Sequence, residues 1–160
     1  MEKISRREFV KIGGTAVGMA ALGGTSLLAA CGSEKKYPTV PMTDEKLVLD
    51  LDKFPLLAQQ GQGMLFQVPN NTENIVVIHL EGGFVATGAQ CPHKGCSVRW
   101  QPDQKLLVCP CHKSSYTAEG ACVRGPGWGK PMSCEKFGKS LTRYNAVLEG
   151  NTVIVTALEG

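Results

Sequence analysis

Two short segments of this 160-residue chain carry the residue types that bind metals. The first reads Cys91-Pro92-His93-Lys94-Gly95-Cys96, the second Cys109-Pro110-Cys111-His112-Lys113-Ser114-Ser115-Tyr116. Each offers a thiolate and an imidazole only a few residues apart. Four such ligands fit a tetrahedral zinc ion, or a two-iron cluster in which thiolates hold one iron and imidazoles the other. Zinc sites of this composition usually place a close pair of Cys ahead of a close pair of His. Here Cys and His alternate and spare Cys lie inside both segments, so the pattern favours iron–sulfur chemistry. Exchanging two thiolates for neutral imidazoles makes such a centre less negative and easier to reduce. Potentials then lie at about −150 to +300 mV, against roughly −400 mV for all-thiolate plant-type clusters.

Positioning such ligands requires a rigid scaffold, and the rest of the chain predicts strands. Val98-Arg99-Trp100 and Lys105-Leu106-Leu107-Val108 read as strands between the two segments. Leu47–Leu49, Met64–Val68, Ile75–Leu80 and Phe84–Thr87 are β-rich runs punctuated by Gly, Pro and Asn. Leu141–Leu148 and Thr152–Thr156 flank Glu149-Gly150-Asn151 as a hairpin. With 19 Gly, 9 Pro and 6% aromatics, turns dominate over helices. The expectation is an all-β domain over residues 46–160, an antiparallel sandwich or barrel. It would carry a cluster-binding subdomain of loops and short strands at about 88–135. Residues 32–45, polar and containing Pro38 and Pro41, read as a linker.

On the patterns C-x-H-x-x-C and C-x-C-H, in that order, the chain resembles the Rieske family, in particular the branch found in quinol-oxidising cytochrome bc complexes. The resemblance covers roughly Lys46 to Gly160. It implies one [2Fe–2S] cluster, with Cys91 and Cys109 on one iron, His93 and His112 on the other, and a Cys96–Cys111 disulfide clamping the two loops. Ser114 matches the serine that donates to a bridging sulfide, and Tyr116 the tyrosine that donates to a cysteine sulfur. Gly125–Pro131 resembles the proline loop that covers the cluster on its third side. The implied activity is one-electron transfer by a subunit of a quinol:cytochrome c oxidoreductase, partnered by cytochrome b and a c-type cytochrome. The chain would not be a self-sufficient enzyme. Lys94 and Lys113 depart from the branch, which usually carries leucine and glycine there. That departure keeps a second reading open: the small subunit of a periplasmic molybdenum oxidase, or a free periplasmic carrier. The ferredoxins of ring-hydroxylating dioxygenases fit less well, being cytosolic and without the loop disulfide. A non-redox binding module leaves the paired loops without a purpose. His79, Trp100 and Trp128 read as packing groups, His79 alternatively as an exposed one.

Seven cysteines must be accounted for. Cys122 and Cys134 flank the proline loop, and an oxidising compartment together with parity predicts a second disulfide between them, free thiols or a haem or partner linkage being the alternatives. Cys31 closes a lipobox-like Leu28-Ala29-Ala30-Cys31 and would carry lipid. Ahead of it, Ser5-Arg6-Arg7-Glu8-Phe9 precedes a mildly apolar run to Ala30, the layout of a bacterial twin-arginine signal. Residues 1–31 are therefore expected to export the chain to the outer face of the membrane, unless the run stays as an uncleaved anchor. Charge follows the same division. Gly88 to Arg143 holds nine basic residues and three acidic ones, while Cys31 to Thr87 and Tyr144 to Gly160 together hold four basic and nine acidic. A basic segment of this kind steers acidic partners, or is simply a solvated surface. No basic–aromatic pattern points to nucleic acid.

Overall fold

The computed structural model describes residues 37–158. The twin-arginine segment, the run to Ala30, Cys31 and residues 32–36 of the expected linker lie outside the described residues. In chain order the elements are β1 Lys46–Asp50, β2 Gly63–Phe66, β3 Ile75–Leu80, β4 Gly83–Gly88, β5 Arg99–Gln101, β6 Leu106–Val108, β7 Ser115–Tyr116, β8 Cys122–Arg124, α1 Cys134–Phe137, β9 Arg143–Glu149 and β10 Thr152–Ala157. Among the described residues the fold is all-β apart from this one-turn helix. Every strand pairing is antiparallel. A six-stranded sheet runs β1-β10-β9-β4-β3-β2, and a four-stranded sheet β5-β6-β7-β8 is inserted in the chain between β4 and β9. Among the described residues no helix is long and apolar enough to cross a membrane.

Side-chain alternation explains how the two sheets meet. On β2 and β3, Phe66, Ile75 and Val77 point into the core of the larger sheet, with Leu47, Leu49, Val153 and Val155. Their neighbours Leu65, Val76 and Ile78 point the other way, onto Val98, Leu107, Tyr116 and Leu141. Both faces of β3 are covered, which is why Ile75–Ile78 is an unbroken apolar run rather than an alternating one. Each such side chain contributes about 1.5–3 kcal/mol by leaving water. Trp100 of β5 fastens the join. Its Nε1 donates to Gly61 O at 2.8 Å, and a Cβ on Gly63 would sit 3.0 Å from the indole. A side chain there would have to push the indole back by a few tenths of an ångström.

Part of the segment expected to be a linker belongs to the fold. Gln67 N donates to Pro38 O and Val40 N to Gln67 O, both at 2.9 Å, while Thr43 and Lys46 exchange backbone bonds. The segment thus runs from the end of β2 to the start of β1, the two outer strands of the larger sheet, and Val40 and Met42 pack on the core between them. Covering an exposed strand edge removes a site for aggregation. The polar, proline-containing composition concealed this, because only two alternate residues face inward.

Candidate metal centre

Strand register places three loops at one end of the small sheet. Arg99 pairs with Val108, Val108 with Ser115, and Ser115 with Arg124. From this row the chain leaves into residues 89–98, 109–114 and 125–133. The first two loops repeat one backbone design. Cys91 O accepts from Gly95 N at 2.9 Å, and Cys91 N donates to Cys96 O at 2.9 Å. Likewise Cys109 O accepts from Lys113 N at 3.0 Å, and Cys109 N donates to Ser114 O at 2.8 Å. The fourth residue after each Cys is left-handed, Gly95 at φ +76° and Lys113 at φ +59°. A glycine accepts this conformation freely, whereas a residue with a Cβ carries a cost of about 1 kcal/mol.

A disulfide joins the two loops, Cys96 to Cys111, with Cα atoms 6.5 Å apart. The sulfurs of Cys96, Cys109 and Cys111 lie within 4.8 Å of one another. Two of them are bonded together, so Cys109 alone of the three offers a thiolate. Cys91 supplies the second: both are free and buried. The His93 and His112 rings meet edge to face at 4.6 Å. In each, Nδ1 is buried and has no hydrogen-bond partner, and the buried Ser114 Oγ is likewise unpartnered. Leaving a buried polar atom unmet costs about 1–3 kcal/mol. Two buried thiols, two inward imidazole nitrogens and one unmet hydroxyl on clamped loops are what a cluster with mixed Cys and His ligands requires.

Electrostatics agree with that donor set. Burial pushes the Cys109 thiol above its ordinary range, opposed by backbone N–H groups of Cys111 and His112 and reinforced by the Cys91 sulfur. The N–H groups favour the thiolate that a metal would select. His93 is held below its usual range by desolvation first, then by His112, Lys94 and Lys139. Tyr116, fully buried, holds its hydroxyl 3.3 Å from Cys91 Sγ. Burial and the neighbouring sulfur raise its pKa, while the nearby Ser114 hydroxyl tempers the rise without reaching hydrogen-bond geometry.

The third loop backs the second. Gly127 N donates to His112 O at 2.9 Å, and Met132 turns back on the loop through Gly125 and Pro126. A Cβ on Gly127, at φ +144°, would lie 2.8 Å from Lys130 O, so this turn requires glycine. Cys122 and Cys134 form a disulfide across its base, Cα atoms 5.7 Å apart. Beyond it α1, capped by Ser133 and ended by left-handed Gly138, sets the Phe137 ring at 6.4 Å from His93.

Of the residues singled out from sequence, Cys91, His93, Cys109, His112, Ser114 and Tyr116 are brought together. His79 lies at the far end of β3, stacked on Phe84 at 4.2 Å. Trp128, expected to pack, is instead 66% exposed, because a Gly-Pro loop offers no sheet to cover it. Three contributors escaped the sequence reading. Glu73 Oε2 accepts from Gln90 N at 3.3 Å, at the root of the first loop. Lys139 Nζ donates to Pro92 O at 3.4 Å, and Phe137 borders His93. Phe137 alone left a signal, as an apolar residue in a polar stretch.

The profile of the Rieske [2Fe-2S] domain matches residues 56–144. The cytochrome b6-f complex iron-sulfur subunit of Chlorobaculum tepidum is 28% identical over 122 residues, 76% of this chain and 61% of that protein. The corresponding subunit of a Synechococcus species is 34% identical over 86 residues, 52% of this chain and 44% of that protein. The matched region thus spans about half the length of these relatives. The terminal oxygenase of carbazole 1,9a-dioxygenase from Novosphingobium sp. KA1 shares the fold, with a TM-score of 0.51 at 16% identity over 64% of this chain and 27% of that one.

Proposed function

The chain belongs to the Rieske [2Fe-2S] domain family, and from that premise we propose that it is the one-electron carrier subunit of a membrane-bound, quinol-oxidising cytochrome bc-type complex. Cys91 and Cys109 are assigned to one iron, His93 and His112 to the other. The observation that carries the assignment is the pair of matched turns whose buried thiols are outside any disulfide and whose inward Nδ1 atoms have no hydrogen-bond partner. When bound, a cluster with this ligand set takes up and gives back single electrons at a potential above that of all-thiolate clusters.

The chain's own residues hold and tune that site. The Cys96–Cys111 disulfide and the repeated turns fix the separation of the proposed ligands. Tyr116 holds its hydroxyl 3.3 Å from Cys91 Sγ and Ser114 buries a second, unpartnered one, and such donors would favour the more negative redox state of a bound cluster. Pro126 and Gly125 are buried against the second loop and exclude water from that side. His93 and His112 remain half-exposed, so their ring edges are what a partner meets.

Likeness to the b6-f subunits supports assembly with a cytochrome b and a c-type cytochrome. The twin-arginine pattern and the lipobox at Cys31 support export and tethering at the outer face of the membrane. A second reading, a small subunit of a periplasmic molybdenum oxidase or a free periplasmic carrier, draws support from Lys94 and Lys113 beside the two imidazoles. A redox titration of the full-chain holoprotein across pH, with electron paramagnetic resonance of the reduced form, separates these. A positive potential that falls as pH rises through neutrality fits quinol oxidation. A pH-independent potential favours the second reading, and the absence of a Rieske-type signal refutes both.

A further inference from the structure

The loop end of the small sheet gathers more basic than acidic charge. The turns bearing Asp103 and Glu119 leave from the opposite end, beyond Gln101, Leu106 and Tyr116. The loop end carries Lys94, Lys113, Lys130, Lys136 and Lys139 against Glu135 and, at the root of the first loop, Glu73. Among the described residues the one ion pair is Lys53 with Asp50, beside β1, so no loop-end lysine has a carboxylate within 4.0 Å.

Apolar groups stand exposed among these lysines. Trp128 is 66% exposed, Val123 51% and Met132 44%. Lys113 Nζ lies 5.2 Å over the Trp128 ring and steadies it. To do so Lys113 keeps a left-handed backbone that the equivalent turn of the first loop gives to Gly95. A strained residue that persists where glycine would relax the chain points to a task for its side chain.

We propose that this end docks an acidic redox protein, with Trp128 as the apolar anchor and the surrounding lysines as the guide. The inference rests on the electron-transfer reading above and names the chemistry of one partner. An electron carrier must be reduced by one partner and oxidised by another. The half-exposed His93 and His112 lie within this basic end, so a protein seated there comes into electron-transfer range. A lipid surface would cover the imidazoles and exchange nothing. Lysines in excess and free of ion pairs steer a negatively charged surface, and an exposed tryptophan among them has the composition of an interface hot spot.

The test follows oxidation of the reduced full-chain holoprotein by stopped flow at several ionic strengths. The probes are an acidic blue-copper protein and a basic c-type cytochrome of similar potential. At low salt the acidic probe is expected to react at least about tenfold faster, an advantage that salt removes. A triple Lys94→Gln, Lys113→Gln, Lys139→Gln variant flattens the salt slope, whereas Lys105→Gln at the opposite end leaves it unchanged. The slope is read because removing charge beside His93 also moves the potential. Trp128→Ala slows the acidic probe about tenfold at every salt concentration without altering the slope. Equal, salt-independent rates for the two probes overturn the docking inference alone. So does binding to phosphatidylglycerol vesicles that Trp128→Ala abolishes while both probes react alike. Failure to exchange electrons with either probe refutes the electron-transfer reading beneath it.

Discussion

Replacing Ser114 by Ala should have opposite effects on the metal-free and the loaded protein. In the metal-free chain the Ser114 hydroxyl is buried without a partner. Removing an unmet polar group relieves a penalty of about 1–3 kcal/mol, partly offset by the small void left behind. Ser114→Ala is therefore expected to leave the metal-free domain as stable as the parent, or more stable by about 1 kcal/mol. In the loaded protein, on the proposed assignment, the hydroxyl would donate toward a group whose negative charge grows on reduction. A hydrogen bond to a charged group contributes about 1.5–3 kcal/mol, and the share that differs between two states one charge apart is about 1 kcal/mol. In a one-electron couple, where about 59 mV corresponds to a factor of ten, this lowers the potential by about 40 mV. Tyr116→Phe should lower it similarly, but it also breaks the 3.3 Å contact with Cys91 in the metal-free chain and so lowers stability there. Denaturant unfolding of the metal-free variants and redox titration of the loaded ones measure the two effects. A Ser114→Ala protein that loses more than about 1 kcal/mol when metal-free yet keeps its potential would show that the hydroxyl serves the protein and not the cluster, and would refute the reasoning.

Two further outcomes follow from the surrounding structure. The Cys122–Cys134 bridge closes a sequence separation of 12 residues, for which loop entropy gives about 3 kcal/mol. A Cys122→Ser, Cys134→Ser double variant should lose that much by guanidinium unfolding. A loss under about 1 kcal/mol would mean that the backbone bonds of Gly125, Gly127 and Met132 already hold the loop. Tyr144 is raised from 10.0 by burial and by the Glu73 charge, against the Asn71 amide that donates to it at 3.1 Å. Its folded pKa exceeds its unfolded one, so its contribution is complete below pH 10.0 and is lost as pH rises through the folded value. Tyr144→Phe should lower stability at neutral pH by about 1 kcal/mol, and flatten the alkaline decline relative to the parent. An unchanged decline would assign that loss to other groups, Tyr116 first.

What could be read from the sequence was whatever the chemistry leaves no freedom to vary. Ligand types and spacings are dictated by the metal, so the proposed ligands Cys91, His93, Cys109 and His112 stood out without any fold in view. Strands were legible where burial is regular, as in the run from Ile75 or the hairpin around Gly150. Strand partners were not, because β4 meets β9 across an inserted sheet and nothing local records that pairing. Glu73 was hidden for the same reason: it is one more carboxylate in a polar loop until the fold sets it against Gln90. The helix α1 carried its signals in Ser133 and Gly138, but four residues hold no periodicity to detect.

The repeated turn explains why the ligands were legible while the surface around them was not. Both loops are built by the same two backbone bonds about a cysteine, so ligand positions depend on main-chain geometry and on the Cys96–Cys111 bridge. A design fixed by the backbone leaves the outward side chains free to change. Gly95 and Lys113 occupy equivalent left-handed positions, and the backbone bond is kept in both. The turn therefore keeps its backbone bond to Cys109 with lysine in place, at a strain of about 1 kcal/mol. From the motif alone Lys113 was only a departure from the usual residue. With Trp128 beneath its ammonium group it becomes part of a basic, aromatic face beside the imidazoles, so the surface presented to a partner can differ while the metal-binding turn is retained.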